Sequence, residues 1–176
     1  AYMWIWMARN KLNGVRPQVG LTNLQNKLGM ILKEGGHFFD SFLAPDCVLP
    51  SGKTVWEEHP EWYGVRADGK EVTPENARRT QFCVSNDEVC EYFGAELVRR
   101  LREEWYEAER IDIWGFDTWG GTCACEKCLA LGNSTDQTLR FLSKLREAID
   151  NANLDRKVEM VLCSSEVVVL AASPPQ

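Results

Sequence analysis

Three cysteines stand at C-x-C-x-x-C spacing in Cys123-Ala-Cys-Glu-Lys-Cys128. Thiolates this close together suit a soft tetrahedral metal such as zinc. Three of them, Cys123, Cys125 and Cys128, do not complete a structural site. Cys83 ends the strand expected just before, so in a parallel sheet it could lie beside this loop and be the fourth ligand. A disulfide with one free thiol and a set of unliganded thiols are the alternatives. A redox dithiol would more usually open a helix directly after a strand. The seven cysteines are an odd number, scattered apart from this cluster. That is not the even framework of a small disulfide scaffold.

A carboxylate lies just upstream in the same segment. Asp117 follows an apolar run and stands between Trp114 and Trp119. Aromatic surroundings raise a carboxyl pKa by desolvation, as a general acid near neutral pH requires. Gly120-Gly121 would let the backbone approach a ligand closely. The plainer reading of Asp117 is an Asx turn or loop cap. Glycoside hydrolysis usually needs two carboxyl groups, about 5 to 10 Å apart. Glu166, one strand further on, is the obvious partner within the chain, Glu61 is a third candidate, and an exposed loop Glu is the bland reading of Glu166.

Binding groups follow from the same logic. Parallel strands share a C-terminal edge, and that edge hosts active sites. Arg9 and Asn10 follow the first expected strand, Asn86 follows the third, and His37 stands after two glycines. These could hold hydroxyls or a carboxylate. Seven tryptophans either fill a core or stack on flat ligands such as sugar rings. Trp62 and Trp119, in expected loops, suit stacking.

The elements that must position these groups are read from periodicity. Residues 1–7 read as a buried strand, and residues 12–20 as a loop. A helix from a Thr22–Gln25 capping box carries Leu21, Leu24, Leu28 and Leu32 and stops at Gly35-Gly36. Residues 37–43 read as the next strand. Residues 44–80 are irregular, and such long loops are usually functional or carry short elements. A short strand over 81–84 leads through a Ser85–Glu88 capping box into a helix burying Val89, Phe93, Leu97, Val98 and Leu101. A strand spans 111–116. A Ser134–Gln137 box opens a helix with Leu139, Leu142, Leu145 and Ile149. The last clear strand spans 158–163, and 167–170 is either its continuation or a separate strand.

Strands alternating with helices argue parallel βαβ units. The expectation is a single α/β domain over 1–176, a partial (β/α) TIM-type barrel. About five strands are too few to close eight, so it would be part of a larger barrel. An open doubly wound sheet is the runner-up, but no G-x-G-x-x-G follows a strand. The formal net charge of −6 gives no basic footprint for nucleic acid. No run approaches a membrane span, and no signal peptide is present in this chain. Both ends read as cut, so the remainder of a larger polypeptide is the expected partner.

One ordered set of segments is more specific than any single motif. It comprises Ala8-Arg-Asn-Lys-Leu12, Gly35-Gly-His37, His59-Pro-Glu-Trp-Tyr63, Asp68-Gly-Lys70, Gln81-Phe-Cys-Val-Ser-Asn86, Asp117 with Cys123-x-Cys-x-x-Cys128, and Pro174-Pro175. Together these resemble a family of bacterial glycoside-hydrolase-like domains of unknown function, distantly similar to α-glucuronidases. The family usually shows Asp-Gly ahead of the cysteines, whereas Asp117 here precedes Thr118-Trp119. The resemblance implies a TIM-barrel region of a larger secreted or periplasmic protein, with carbohydrate as its ligand. On that basis the expected function is a glycosidase acting on a complex polysaccharide or uronic-acid-bearing glycan. Asp117 and Glu166 would be catalytic. Arg9, Asn10, His37, Trp62, Asn86 and Trp119 would bind substrate. No cofactor is required for that catalysis, and Cys83, Cys123, Cys125 and Cys128 would hold a structural zinc. A non-catalytic carbohydrate-binding barrel with the same Cys-rich metal site is the alternative.

Overall fold

The computed structural model describes residues 2–77, 82–114, 122–163 and 168–171. In chain order the elements are α1 (Tyr2–Arg9), β1 (Gly14–Val15), α2 (Thr22–Lys27), β2 (Ile31–Gly36), α3 (Asp40–Leu43) and α4 (Val55–Glu58). A 3-10 turn (Pro60–Trp62), α5 (Asp87–Glu103), β3 (Arg110–Trp114), α6 (Glu126–Ala130), α7 (Ser134–Asn151), β4 (Glu159–Cys163) and β5 (Val168–Ala171) follow.

The chain divides into two compact units. The first comprises 1–36, 99–113 and 154–176; the second comprises 37–98 and 114–153. The first holds the sheet, in the order β1-β2-β3-β4-β5. Four of its strands run parallel in an open sheet, with Gly14 beside Ile31 and Gly36 beside Ile113. The last strand returns antiparallel on β4. Spatial order follows chain order, so the winding runs one way across the described strands. A doubly wound sheet would reverse direction part-way.

Several expected elements change identity, each for a local reason. The opening apolar run is a helix, α1, not a buried strand. Its Trp4, Met7 and Ala8, at helical spacing, pack on Val15, Met30 and Leu32. Arg9 and Asn10 therefore stand at a helix end rather than a strand end, and Asn10 Nδ2 donates to the Trp6 carbonyl at 2.8 Å. The Leu-rich helix stops at Lys27, well short of Gly35. Gly29, at φ +69°, takes the left-handed position. Its N–H donates to the Asn26 carbonyl, and the Met30 N–H donates to the Gln25 carbonyl. This pair of bonds is the Schellman ending, completed by burial of Met30. Gly35-Gly36 then end a strand, β2, and residues 37–43 carry α3 rather than a strand.

The expected capping boxes are shifted or absent. Leu21, with no side-chain cap, precedes α2. Gln25 is instead fully buried, accepting from the Gln18 N–H and donating to the Arg16 carbonyl. Asn86, not Ser85, accepts from the Glu88 N–H at the start of α5. Asn133 and Asp136 form the reciprocal box of α7, one residue before the expected Ser134. A further box, Thr54 with Glu57, opens α4 inside the long loop. The expected strand over 81–84 reduces to a single bridge between Phe82 and Tyr63, with Gln81 outside the described residues.

The core of the second unit is aromatic. Phe93, on the buried stripe of α5, is fully buried with its ring centroid 4.6 Å from Phe39, 4.8 Å from Phe42 and 5.1 Å from Phe141. The contacts with Phe39 and Phe141 are edge-to-face and that with Phe42 is tilted, and such ring contacts add to the area each ring buries. The α7 stripe contributes Phe141, Leu142, Leu145 and Ile149, while Leu139 faces solvent.

In the first unit, Arg156 ties the end of α5 to the turn after it. Its guanidinium donates to the carbonyls of Ala108 at 2.8 Å, Leu101 at 2.8 Å and Trp105 at 2.9 Å. An arginine that satisfies the open carbonyls at a helix C-terminus is both a hydrogen-bond and a charge match. Arg156→Met keeps most of the stem but takes the donor from the Leu101 and Ala108 carbonyls, while the Trp105 carbonyl still accepts from the Ala108 N–H. The substitution should cost about 2–3 kcal/mol, read as a lower denaturant midpoint with an unchanged slope.

Candidate functional site

The structure brings together the four expected cysteines, all within the second unit. The Sγ atoms of Cys83, Cys123, Cys125 and Cys128 all lie within 4.8 Å of one another. Cys83 Sγ is 3.8 Å from that of Cys125 and 3.7 Å from that of Cys128. All four are free thiols, and these separations are far beyond the roughly 2.05 Å of a disulfide.

Backbone pairing explains the convergence. Residues 62–65 form a rail between the two cysteine-bearing segments. On one side the Cys83 N–H donates to the Trp62 carbonyl at 2.8 Å, and Phe82 bridges Tyr63. On the other side the Ala124 N–H donates to the Val65 carbonyl at 2.8 Å. The Val65 N–H in turn points at Cys123 Sγ, 3.3 Å away. Cys125 caps α6, with its sulfur accepting from the Cys128 N–H at 3.4 Å. Ser85, expected to cap a helix, instead sits among the thiols, its Oγ 3.2 Å from Cys83 and 3.3 Å from Cys128.

The thiol protons are unevenly shared. Cys83 is pulled down to about 4, first by the hydrogen bond from the Cys123 thiol, with Ser85 and the other cysteines adding to it. Cys123, which gives that hydrogen bond, is pushed far up by it and by burial. Cys90 behaves differently: it is buried away from the cluster, and burial raises its thiol to about 11. It has the character of an inert core cysteine.

A cleft of about 500 Å³ opens over the half-buried side of the cluster. Glu61, Ser85, Asn86, Asp87 and Lys127 line it beside Cys83 and Cys125. Asn86, expected to bind substrate, is thus on a cleft wall while its Oδ1 caps α5. A second group, His59, Glu61 and Glu88, converges nearby in the same unit. His59 Nδ1 is 3.0 Å from Glu61 Oε1, and its ring stacks on Trp62 at 4.0 Å. The proximity of His59 to Glu88 is a tertiary contact that no spacing announces.

The remaining site residues divide three ways. His37 is exposed just past β2, with its ring 5.0 Å from Trp114, the last residue of β3, in an edge contact. Trp62 does not present a free face for a sugar. It is 3% exposed, covered by His59 and Tyr92, and its Nε1 points to Glu88 at 3.4 Å. Its ring is core because the rail that carries it is paired on both sides. Asp117, Trp119 and Glu166 lie outside the described residues. Among the described residues, no helix is long and apolar enough to cross a membrane.

No curated protein matches the chain. Among solved structures it is similar to the GH36 α-galactosidase AgaA from Geobacillus stearothermophilus. A complex of that enzyme with stachyose aligns at 15% sequence identity and a TM-score of 0.43, covering 81% of this chain and 18% of that one. A complex with 1-deoxygalactonojirimycin aligns at 16% identity and a TM-score of 0.42, over the same shares. The chain thus spans less than a fifth of that enzyme, whose α-galactosidase activity is said of it alone. The family model described as a domain of unknown function, DUF4838, matches residues 8–162, nearly the whole chain, and the protein belongs to that family.

Proposed function

We propose that this chain is part of a glycoside-hydrolase-like (β/α) barrel acting on a complex polysaccharide or uronic-acid-bearing glycan. The observation that carries the reading is the His37–Trp114 contact. An imidazole just past β2 meets an indole at the end of β3, two strands paired in parallel. In such sheets the residues beyond the strand ends form the reactive edge. Asp117 follows Trp114 by three positions in the chain, and Glu166 follows Cys163, the end of β4, by three. The chain-ordered parallel strands also suit a barrel arc better than a doubly wound sheet. Asp117 is the proposed general acid. Glu166, or a carboxylate outside residues 1–176, is the proposed base or nucleophile. His37 would hold a hydroxyl or carboxylate of the sugar.

The test is a glycan-library screen of the full-length protein that follows both binding and release of new reducing ends. Turnover of at least one glycan is the expected result. Binding without any product would replace this reading with a non-catalytic carbohydrate-binding barrel. Absence of both would remove carbohydrate as the ligand.

A further inference from the structure

We infer that Cys83, Cys123, Cys125 and Cys128 together bind one zinc ion, as a closed four-thiolate site that fastens the segment before it. This stands on the cysteine cluster and the groups around it, whatever reaction the chain takes part in.

Three observations point to a metal rather than to four incidental thiols. The first is spacing. A tetrahedral zinc with Zn–S near 2.3 Å requires its sulfurs to be about 3.8 Å apart. The separations from Cys83 to Cys125 and to Cys128 are 3.8 and 3.7 Å. A hard cation would call for oxygen ligands, and none of the four is one.

The second is the surrounding shell. Backbone N–H groups of Val65 and Cys128 point at the sulfurs of Cys123 and Cys125. Neutral thiols are weak acceptors and gain little from such donors, whereas metal-bound thiolates are held and tuned by them. The Ser85 Oγ stands among the same sulfurs, 3.2 Å from Cys83 and 3.6 Å from Cys125, and accepts from the Cys128 thiol at 3.3 Å. Four thiolates on a divalent ion leave an excess of negative charge, and Lys127 stands on the cleft wall beside Cys83 and Cys125.

The third is completeness. Four protein sulfurs fill a tetrahedron and leave no position for water, which marks a structural zinc rather than a catalytic one. Binding would displace the thiol protons to solvent and close the long loop between Cys83 and Cys123, a constraint that stabilises the fold.

The positional consequence follows from the chain. Residues 115–121, which include Asp117, run from Trp114 at the end of β3 to the first ligand-bearing turn at Cys123. A metal at Cys123 fixes the far end of that segment.

The test is metal analysis of the full-length protein purified without chelator, by inductively coupled plasma mass spectrometry. One zinc per chain is expected. Cobalt exchanged into the site should give the visible bands and sulfur-to-metal charge transfer of a tetrahedral four-sulfur centre. Titrating the native chain with an organomercurial should release the zinc in step with thiol modification, which needs no variant to fold. Cys128→Ser should lose the metal, while Cys47→Ser and Cys90→Ser keep it. Less than roughly half a zinc per chain after zinc supplementation, iron in its place, a cobalt spectrum without sulfur charge transfer, or a disulfide among the four would each overturn the assignment.

Discussion

With Asp117 as the proposed general acid, an Asp117→Asn variant of the full-length protein should turn over the proposed glycan substrate about a thousandfold more slowly, within the range that a positioned general acid supplies. The amide keeps the size and the hydrogen-bonding reach of the acid but has no proton to give. The loss should therefore fall on kcat, with KM changed by no more than about threefold, because the ground-state contacts survive. Leaving-group chemistry sharpens the test. An aryl glycoside whose phenol departs without protonation bypasses the general acid, so the same variant should recover most of its rate on that substrate. His37→Ala should behave in the opposite manner, raising KM more than it lowers kcat, since His37 is proposed to hold rather than to transfer. Steady-state kinetics on the natural glycan and the aryl glycoside, side by side, separate these outcomes. Full activity of Asp117→Asn on the natural glycan removes Asp117 from the chemistry.

The cysteine site was the most legible part of the molecule, and the reason is physical. Three of its members are fixed by short-range spacing, and a C-x-C-x-x-C turn can hardly scatter its own sulfurs. The fourth, Cys83, needed only that its segment lie beside the cysteine loop. The expected reason was a parallel sheet, whereas the pairing runs through the rail at 62–65. What the sequence hid were the groups that act through the backbone. The Val65 N–H has no side-chain signature, and Ser85 looked like a helix cap because Glu88 stands three residues later. Trp62 was assigned to a sugar face on the strength of an irregular loop around it. Stacking by His59 and Tyr92, which turns it into core, is set by the tertiary arrangement of that loop.

The fold divides along the same line. The helices α5 and α7 and the strands β3 and β4 were readable because long amphipathic periods and short apolar runs carry strong signals. Residues 21–43 depart from expectation for a single reason. Leu21, Leu24, Leu28 and Leu32 keep helical spacing, but Gly29 interrupts them with a helix ending, and Leu32 belongs to a buried strand. A helix run on to Gly35 hides the strand that ends there and displaces it to 37–43. Four apolar residues at helical spacing are weaker evidence than a glycine in the left-handed position with both Schellman bonds made.

Gly35→Ala should be the most destructive single substitution in the sheet, costing about 4 kcal/mol or more. Gly35 lies in β2 at φ +103° and pairs with Asp112 of β3. A Cβ at that position would stand 2.2 Å from the Asp112 carbonyl oxygen and 3.0 Å from its carbonyl carbon and amide nitrogen. Those atoms are backbone, so no side chain can swing aside, and the two strands must part. Parting them also strains the ion pair between Lys33 and Asp112, 2.6 Å apart across the same strands. Gly52→Ala is the control, because it shares the positive φ (+85°) but has nothing within 4 Å of the added carbon. It carries the conformational cost alone, about 1 kcal/mol. The difference between the two variants in equilibrium denaturation measures the β2–β3 contact itself. A typical domain holds only about 5–15 kcal/mol in reserve, so Gly35→Ala should remove a large share of it and lower the denaturation midpoint far more than Gly52→Ala. Equal midpoints for the two would mean that β2 and β3 do not approach as closely as their register requires.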